Sequence, residues 1–469
     1  MTIATLAACS SATRPTLQPC ESPGVTGRVS CGTVRVPENP AQPRGRALDI
    51  AFKVLHATSS DPKPDPILFF AGGPGQAGTD IAPLVAQMLA TTRAERDVVL
   101  VDQRGTGRSN PLPCKPLVDD LESLVGSFAA GALSEADLVR CRDELSQRAD
   151  LRMYTTTIAM HDFDRVRAAL GYERVNLVGG SYGSRAALVY ARLFPERVRS
   201  VVLRGGGTTE LKLPLNVARD VEAAFEALFR DCAADPSCVA RYGDVRAKFR
   251  SIYARLENAP VVLEAIDPRN QQPSRLTVTQ AVFVGGLLFT LYSSDSAAAV
   301  PLILDRAAAG EWKPFLSVVV PTTVALAGQV YLGMHFSVTC AEDVPQFTVD
   351  DVRRESEGTL LGPHSGLAAI DRCRIWPRGE VPPDFHDPFR VEAPVLILSG
   401  LVDPALPPRY GDIDAQSLPN SRHILLPATG HVPSYPGCTA EQVARFIDTA
   451  SFDGLDWSCV EDLKRPEWR

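Results

Sequence analysis

The sequence predicts an α/β fold with a mostly parallel central sheet flanked by helices and interrupted by a mainly helical insertion. Short apolar runs at Ile67–Phe70, Val98–Val101 and Val175–Val178 alternate with segments that have helical spacing. Such alternation is typical of strand–helix–strand units, which form parallel sheets. A long stretch without strand patterns then separates these runs from two later ones, which indicates an insertion.

The elements follow one another in a regular order. Before the first run, residues Leu48–Val54 alternate between apolar and more polar side chains, the period of a half-buried strand. Residues Ile158–Leu170 have helical spacing, and Gly171 is placed to end that helix. Further strands are predicted at Val201–Leu203, Pro394–Leu398 and His423–Leu426, and a last helix near Ala440–Ile447.

The insertion begins where the pattern changes. Residues Val217–Cys232 place six apolar side chains on one helical face, and further helical patterns follow in Arg246–Leu256, Thr277–Tyr292 and Ala297–Ala309. We therefore predict an α/β core formed by residues 47–207 and 384–469. A mainly helical cap spans 208–383, and a Pro-, Ser-, Gly- and Arg-rich irregular lead-in covers 1–46.

Composition excludes several classes of protein. The 469 residues include 48 basic and 55 acidic side chains, a net charge of −7, and 45% are apolar. These values are ordinary for a globular protein and exclude a disordered or fibrous chain. The mild acidity disfavours nucleic acid as a partner, since binders of nucleic acid carry basic clusters. Apolar runs fall short of the roughly 18 residues that a membrane-spanning helix needs.

The motif Gly179–Gly183 has the pattern G-x-S-x-G, in which a serine lies on a sharp turn from a strand into a helix. An apolar run precedes Ser181 and a helical pattern follows it, which is the context that this nucleophile motif requires. The helix N-terminus would favour negative charge developing there. A glycine-rich loop without catalytic function is the alternative interpretation.

An oxyanion formed at Ser181 needs two backbone N–H donors. Tyr182, directly after the serine, would supply one of them. The other is expected from the glycine-rich loop after Ile67–Phe70, where Gly73 is preferred and Gly75 remains an alternative. In the segment after Val98–Val101, Asp102 and Arg104 are interpreted as bracing the loops around the site.

The serine also needs a base and an acid that orients it. In α/β-hydrolases the order along the chain is Ser, then Asp or Glu, then His. Asp403 follows the strand candidate at Pro394–Leu398, and His431 follows the last one. We therefore predict a catalytic triad of Ser181, Asp403 and His431.

Together, these motifs resemble those of the tripeptidyl and prolyl aminopeptidase family of α/β-hydrolases. The segments that carry the resemblance occur in the family's order: Ala71–Gly75, Asp102–Ser109, Gly179–Gly183 and Pro394–His431. The resemblance implies a serine exopeptidase acting on peptides with free N-termini through an acyl-enzyme. It implies neither a metal nor an organic cofactor. Prolyl aminopeptidases usually have His where this chain has Ala71, which favours the tripeptidyl branch.

An aminopeptidase must recognise a positively charged α-amino group, usually with carboxylates. The resemblance points to Glu342, and secondly to Asp343, near the end of the cap. A solvated acidic pair is the alternative.

The eleven cysteines bear on the compartment. Ten lie in neighbouring pairs, and we predict these disulfides: Cys20 with Cys31, Cys114 with Cys141, Cys232 with Cys238, Cys340 with Cys373 and Cys438 with Cys459. Buried free thiols are the alternative. Disulfides indicate an extracytoplasmic protein, and a cytoplasmic one is the other possibility. The remaining Cys9 ends a segment that resembles a bacterial lipobox, in which a lipid on the cysteine would anchor the protein to a membrane. An accidental resemblance is the alternative interpretation.

Two other functions are compatible with the same sequence features. A carboxylic-ester hydrolase would use the same triad on uncharged substrates, because fold and triad do not define the substrate. A catalytically silent hydrolase fold used for binding is less favoured, since all three triad residues are present. An aspartate-nucleophile dehalogenase or epoxide hydrolase is disfavoured by Ser181. The sequence does not indicate an oligomeric state.

Overall fold

The computed structural model describes residues 17–114, 119–131, 134–431 and 435–469, so Cys9 lies outside the described residues. The strands are β1 (Gln18–Pro19), β2 (Val29–Pro37), β3 (Ala47–Leu55), β4 (Ile67–Phe70), β5 (Val98–Val101), β6 (Val175–Gly180), β7 (Val198–Arg204), β8 (Val261–Ile266), β9 (Pro273–Val278), β10 (Val395–Gly400) and β11 (Ser421–Leu426). No described helix combines the length and the apolar character needed to cross a membrane.

The helices lie between and beyond these strands. They are α1 (Ala82–Met88), α2 (Ala90–Arg93), α3 (Leu121–Ala130), α4 (Glu135–Ser146), α5 (Thr156–Leu170), α6 (Tyr182–Leu193), α7 (Val217–Ala234), α8 (Pro236–Tyr242), α9 (Val245–Asn258), α10 (Gln280–Thr290), α11 (Ser294–Ala297), α12 (Val300–Ala308), α13 (Val320–Ala327), α14 (Leu332–Glu342), α15 (Val349–Ser356), α16 (His364–Ile375), α17 (Pro408–Ser417) and α18 (Thr439–Thr449). Helix α5 ends at Gly171 in the left-handed conformation, as the sequence predicts.

Nine strands form the central sheet in the order β1-β2-β3-β5-β4-β6-β7-β10-β11. The pairs from β5 to β11 are parallel, and the pairs among β1, β2, β3 and β5 are antiparallel. Strands β4, β5 and β10 are buried along their whole length, because helices cover both faces of the sheet. The predicted mostly parallel sheet of an α/β-hydrolase fold is therefore confirmed.

Two antiparallel strands precede the predicted core. The lead-in was expected to be irregular, but Val29–Pro37 pairs with Ala47–Leu55 along its whole length. The expectation was wrong because Pro, Gly and Arg in this stretch mask a strand whose ends, Val29 and Val36, are buried. Strand β2 thus extends the central sheet beyond residue 47.

The segment between β7 and β10 contains helices α7–α16 and has its own apolar core, rich in phenylalanine. It is not wholly helical: β8 and β9 form an antiparallel hairpin in it. Helix α3, which precedes the insertion in sequence, contributes Leu121, Leu124 and Val125 to the same core. The insertion between β7 and β10 thus shares its apolar core with a helix that precedes the nucleophile motif.

Five disulfides join the same cysteine pairs that the sequence predicts. Their Cα–Cα distances are 5.8 Å for Cys20–Cys31, 5.4 Å for Cys114–Cys141, 5.4 Å for Cys232–Cys238, 5.1 Å for Cys340–Cys373 and 6.2 Å for Cys438–Cys459. All are within the range that a disulfide can span. Cys340–Cys373 connects α14 to α16 inside the cap.

Candidate active site

Ser181 lies at the turn between β6 and α6. Its φ is +58° and its ψ is −132°, a backbone conformation that residues other than glycine rarely adopt. A Cβ atom at Gly183 would collide with the carbonyl of Phe70, so the turn fits against β4 only with glycine there. The Ser181 N–H donates to the carbonyl of Arg204 (3.1 Å), which fixes the turn to β7. This is the strained turn that the G-x-S-x-G pattern predicts.

Asp403 and His431 come from the loops that follow β10 and β11, which are adjacent parallel strands. His431 Nδ1 is 2.9 Å from Asp403 Oδ2 and 3.0 Å from Oδ1. An ionised carboxylate only accepts hydrogen bonds, so Nδ1 carries the hydrogen and the lone pair of Nε2 is left for another partner. Both side chains are almost fully buried, at 6% and 3% exposure.

The Asp403 carboxylate is itself fixed in place. Its Oδ1 accepts hydrogen bonds from the backbone N–H groups of Ala405 and Leu406, both at 2.8 Å. The ring of Tyr292, from the cap, lies edge-on to the His431 ring with centroids 4.6 Å apart. The imidazole is therefore held by a carboxylate on the core side and by an aromatic ring on the cap side.

Ser181 and His431 line the same cavity, which has a volume of about 460 Å³. A second cavity of about 270 Å³ also reaches Ser181 and extends under the cap. Their walls are mainly apolar, with Phe128, Phe289 and Tyr292 shared between them. The structure thus brings the predicted nucleophile and base together at the junction of core and cap. Asp403 stands behind the imidazole.

Gly73 and Tyr182 flank the nucleophile. Gly73 lines both cavities beside Ser181, and Tyr182 is the first residue of α6, directly after the serine. The Tyr182 side chain is buried, with its hydroxyl bonded to Gln103 Nε2 (3.0 Å) and to Thr156 Oγ1 (2.6 Å). Burial raises the pKa of Tyr182 well above its ordinary value, so its phenol stays neutral.

The glycine-rich loop that contains Gly73 is held by the cap. His335 Nδ1 lies 3.1 Å from the carbonyl oxygen of Pro74, and the N–H of Tyr331 donates to the carbonyl of Gly75 (2.9 Å). Gln76 Nε2 donates to Gln329 Oε1 at 2.6 Å. Burial, with the nearby Arg372 guanidinium, lowers the pKa of His335 to about 4, so the ring is neutral. Its Nδ1–H therefore donates to Pro74.

Glu342 and Asp343 are not among the residues that line either cavity. Glu342 accepts hydrogen bonds from the N–H (2.6 Å) and the hydroxyl (2.8 Å) of Thr156, and Asp343 pairs with Arg185 at 2.8 Å. Both are nearly fully buried, and burial raises the pKa of Glu342 to about 7. The structure therefore gives these carboxylates partners inside the protein rather than a position facing a substrate amine, and they are not a solvated pair either.

Asp102 and Arg104 brace loops, as the sequence predicts. The Asp102 carboxylate accepts from the N–H (2.8 Å) and hydroxyl (3.0 Å) of Thr79 and from the N–H of Arg108 (3.0 Å). Arg104 forms a two-bond ion pair with Asp162 at 2.7 and 2.9 Å. Neither side chain lines the two cavities.

The sequence patterns give no function to the three arginines at the cavities, Arg185, Arg204 and Arg372, or to His335 and His364. Arg204 ends β7 and was hidden in a strand pattern, whereas His335 and Arg372 lie on cap helices that carry no motif. Within the part of the chain that the structure describes, no three His, Cys, Asp or Glu side chains are grouped so that they could hold a metal ion.

Comparison with known proteins agrees with this architecture. Residues 65–283 match the family model described as alpha/beta hydrolase fold, and residues 363–459 match the one described as TAP-like protein. The chain is 27% identical to serine protease Hip1 of Mycobacterium tuberculosis over 484 aligned positions, covering 92% of this chain and 88% of that protein.

Two further relatives cover less of the chain. Tripeptidyl aminopeptidase of Streptomyces lividans is 28% identical over 49% of this chain and 46% of its own length. Proline iminopeptidase of Xylella fastidiosa is 28% identical over 34% of this chain and 37% of its own length. The chain therefore has the α/β-hydrolase fold, and it resembles the tripeptidyl and prolyl aminopeptidases.

Proposed function

We propose that this protein is a serine peptidase that cleaves peptide bonds near free N-termini. The observation that carries the proposal is the position of Ser181 on a strained turn, facing a cavity that it shares with His431, whose imidazole is bonded to Asp403. The relatives named serine protease, tripeptidyl aminopeptidase and proline iminopeptidase support peptide substrates.

The proposed reaction follows from these groups. His431 Nε2 takes the proton of Ser181 as its Oγ attacks the scissile carbonyl carbon, and Asp403 stabilises the imidazolium that forms. The N–H groups of Tyr182 and Gly73 donate to the resulting oxyanion. Collapse of this intermediate breaks the C–N bond, and the leaving amine takes its proton from His431. Water, deprotonated by His431, then attacks the acyl-enzyme and releases Ser181.

A comparison of substrates with free and acetylated N-termini tests the proposal. We expect the purified protein to release short peptides from free N-termini and to cleave the acetylated forms at least about tenfold more slowly, because a desolvated charge contributes to binding. Ser181→Ala should lose about 10⁴-fold or more in rate and should no longer react with a fluorophosphonate probe. Equal cleavage of free and acetylated peptides would remove the aminopeptidase function.

A carboxylic-ester hydrolase is a second candidate, and one observation favours it. Among the described residues, no acidic side chain lines either cavity, so neither wall offers a carboxylate to a substrate ammonium. A protein that hydrolyses p-nitrophenyl esters rapidly but leaves every peptide intact would support this candidate. A protein that fails to label at Ser181 with the fluorophosphonate would instead be a binding module.

We also propose where the protein works and how it is divided. Five disulfides support an oxidising, extracytoplasmic compartment. A lipid on Cys9 would anchor it to a membrane, and partitioning of native protein into a detergent phase, lost in Cys9→Ser, tests that anchor. Residues 208–383 are proposed as a cap over the core segments 47–207 and 384–469.

A further inference from the structure

The charged residues that line the two cavities are all basic. They are Arg185, Arg204 and Arg372, and none of the lining residues within the described ranges is Asp or Glu. The residues outside the described ranges, 1–16, 115–118, 132–133 and 432–434, include no acidic residue either. The positive charge therefore has no acidic counterpart on the cavity walls.

Two of the three arginines have partners within the protein. Arg185 pairs with Asp343 at 2.8 Å and also donates to the carbonyl of Leu211. Arg204 donates to the sulfur of Met88 at 2.9 Å, and its guanidinium lies 5.1 Å from the centre of the Tyr435 ring.

Arg372 is different. It lies on α16 and lines both cavities, as Ser181 does. Its guanidinium lies 4.6 Å from the centre of the Phe336 ring, and its buried Nε has no hydrogen-bond partner among the described residues. Burial lowers the pKa of Arg372 to about 10, and within the described ranges no carboxylate raises it. The side chain is therefore still a cation at neutral pH.

A partly buried cation without an anion is costly, since it loses hydration and gains no charge-assisted hydrogen bond. The aromatic ring of Phe336 offsets part of this cost, because the face of a ring attracts a cation. A carboxylate that entered the cavity would supply the missing partner, with two oxygens that match the planar fork of donors on a guanidinium. The surrounding apolar wall would strengthen that pair by excluding water.

We propose that Arg372 binds a carboxylate of the substrate, so that the enzyme prefers substrates with an anionic group close to the scissile bond. This proposal rests on the proposed peptidase function for the source of the carboxylate. In peptides it would come from a Glu or Asp side chain near the scissile bond, or from the free C-terminus of a short peptide. Arg372 is thus a specificity-determining residue, and the substrate class is acidic peptides.

Matched substrates distinguish these sources. Peptides with free N-termini are compared in pairs that differ by Glu against Gln at each position flanking the scissile bond, and by a C-terminal acid against the amide. We expect at least one pair to show about a tenfold or greater preference in kcat/KM for the anionic member, the effect of one charge-assisted hydrogen bond. The pair that shows it identifies the source of the carboxylate.

Variants test whether Arg372 is responsible. Arg372→Met should bring the ratio of the anionic to the neutral substrate close to one, whereas Arg372→Lys should retain a preference because it keeps the charge. Arg374→Met is the matched control: Arg374 lies on the same helix but is exposed and paired with Asp371. We expect this control to keep the wild-type ratio. A wild-type ratio near one in every pair, or an unchanged ratio in a folded Arg372→Met protein, would overturn the proposal.

An inhibition assay separates this proposal from the peptidase function. With p-nitrophenyl acetate as the substrate, 4-phenylbutyrate should inhibit the wild type about tenfold more strongly than 4-phenylbutyramide, and Arg372→Met should abolish that difference. Equal inhibition by the acid and the amide counts against Arg372 as a carboxylate site. If no peptide is cleaved while the ester is hydrolysed, the peptidase function fails, and the inhibitor pair still decides the role of Arg372.

Discussion

His335 of the cap donates a hydrogen bond through Nδ1 to the carbonyl oxygen of Pro74, 3.1 Å away in the loop that carries Gly73. The proposed cap, residues 208–383, therefore holds the loop from which an oxyanion donor is expected. Two more contacts, Tyr331 to Gly75 and Gln329 to Gln76, bind the same loop to the same part of the cap. A movement of the proposed cap would thus also move the loop that supplies the proposed oxyanion donor.

The first prediction concerns this contact. His335→Phe removes the donor to Pro74 while filling similar space, so we expect kcat to fall by about tenfold or more with a smaller change in KM, because a displaced oxyanion donor weakens transition-state binding. His335→Asn can place an amide N–H where Nδ1–H lies, and it should recover a large part of the loss. Steady-state kinetics of both variants provide the test. Equal activity of the Phe and Asn variants would show that the hydrogen bond is not required.

The second prediction concerns Asp403. In Asp403→Asn, the amide oxygen can still accept the N–H groups of Ala405 and Leu406, so the fold should be retained. An NH₂ group would then face His431 Nδ1 and favour the wrong imidazole tautomer. We expect kcat to fall by about 10³- to 10⁴-fold without a comparable loss of thermal stability. An active Asp403→Asn enzyme would exclude this carboxylate as the group that orients the base.

The third prediction concerns Glu342 and the dependence of stability on pH. Burial raises its pKa to about 7 in the folded protein, from 4.5 when it is unperturbed. The folded state therefore binds the proton of Glu342 more tightly than the unfolded state does. Protonated Glu342 contributes to the free energy of unfolding at low pH, and this contribution is lost as pH rises from about 4.5 to 7. The shift corresponds to about 3 kcal/mol.

Glu342→Gln should remove this contribution, since the amide does not titrate. The free energy of unfolding of wild type and variant, measured by denaturant titration at pH 4.5 and pH 8, provides the test. Asp220 and Asp414, whose pKa values burial raises to about 6 and about 7, change stability in the same direction in both proteins and cancel in the comparison. An identical pH dependence in both proteins would contradict the prediction.

The fourth prediction concerns the disulfide between Cys340 and Cys373, which closes a 33-residue separation between α14 and α16. Replacing both cysteines by alanine should lower the free energy of unfolding by roughly 3 kcal/mol, because the unfolded chain gains freedom. Arg372 is next to Cys373, so the variant should also reduce any preference for anionic substrates. The double replacement of Cys232 and Cys238, with a separation of 6 residues, is the control for the second effect, since it should leave that preference unchanged.

Several parts of this protein depend only on local sequence pattern and can be predicted from it. Apolar runs of three to five residues located the parallel strands, because strands whose two faces are both covered carry continuous apolar sequence. The G-x-S-x-G pattern located the turn at Ser181, since a Cβ atom at Gly179 or Gly183, two positions before and after the serine, would collide with backbone atoms. Asp403 and His431 are predicted from the order Ser, Asp or Glu, His along the chain of α/β-hydrolases, and from their places just after the late strand candidates.

Which side chains line the cavities depends on residues that are far apart in the sequence and can be seen only in the tertiary structure. Glu342 does not line the cavities. Both of its carboxylate oxygens accept hydrogen bonds from Thr156, which lies 186 residues earlier in the chain. Folding also places Arg372, on helix α16, at the cavity beside Ser181, where no carboxylate of the described residues raises its pKa. The charge of a cavity depends on side chains from helices and strands that meet only after folding. No local sequence pattern therefore shows that this site is basic rather than acidic.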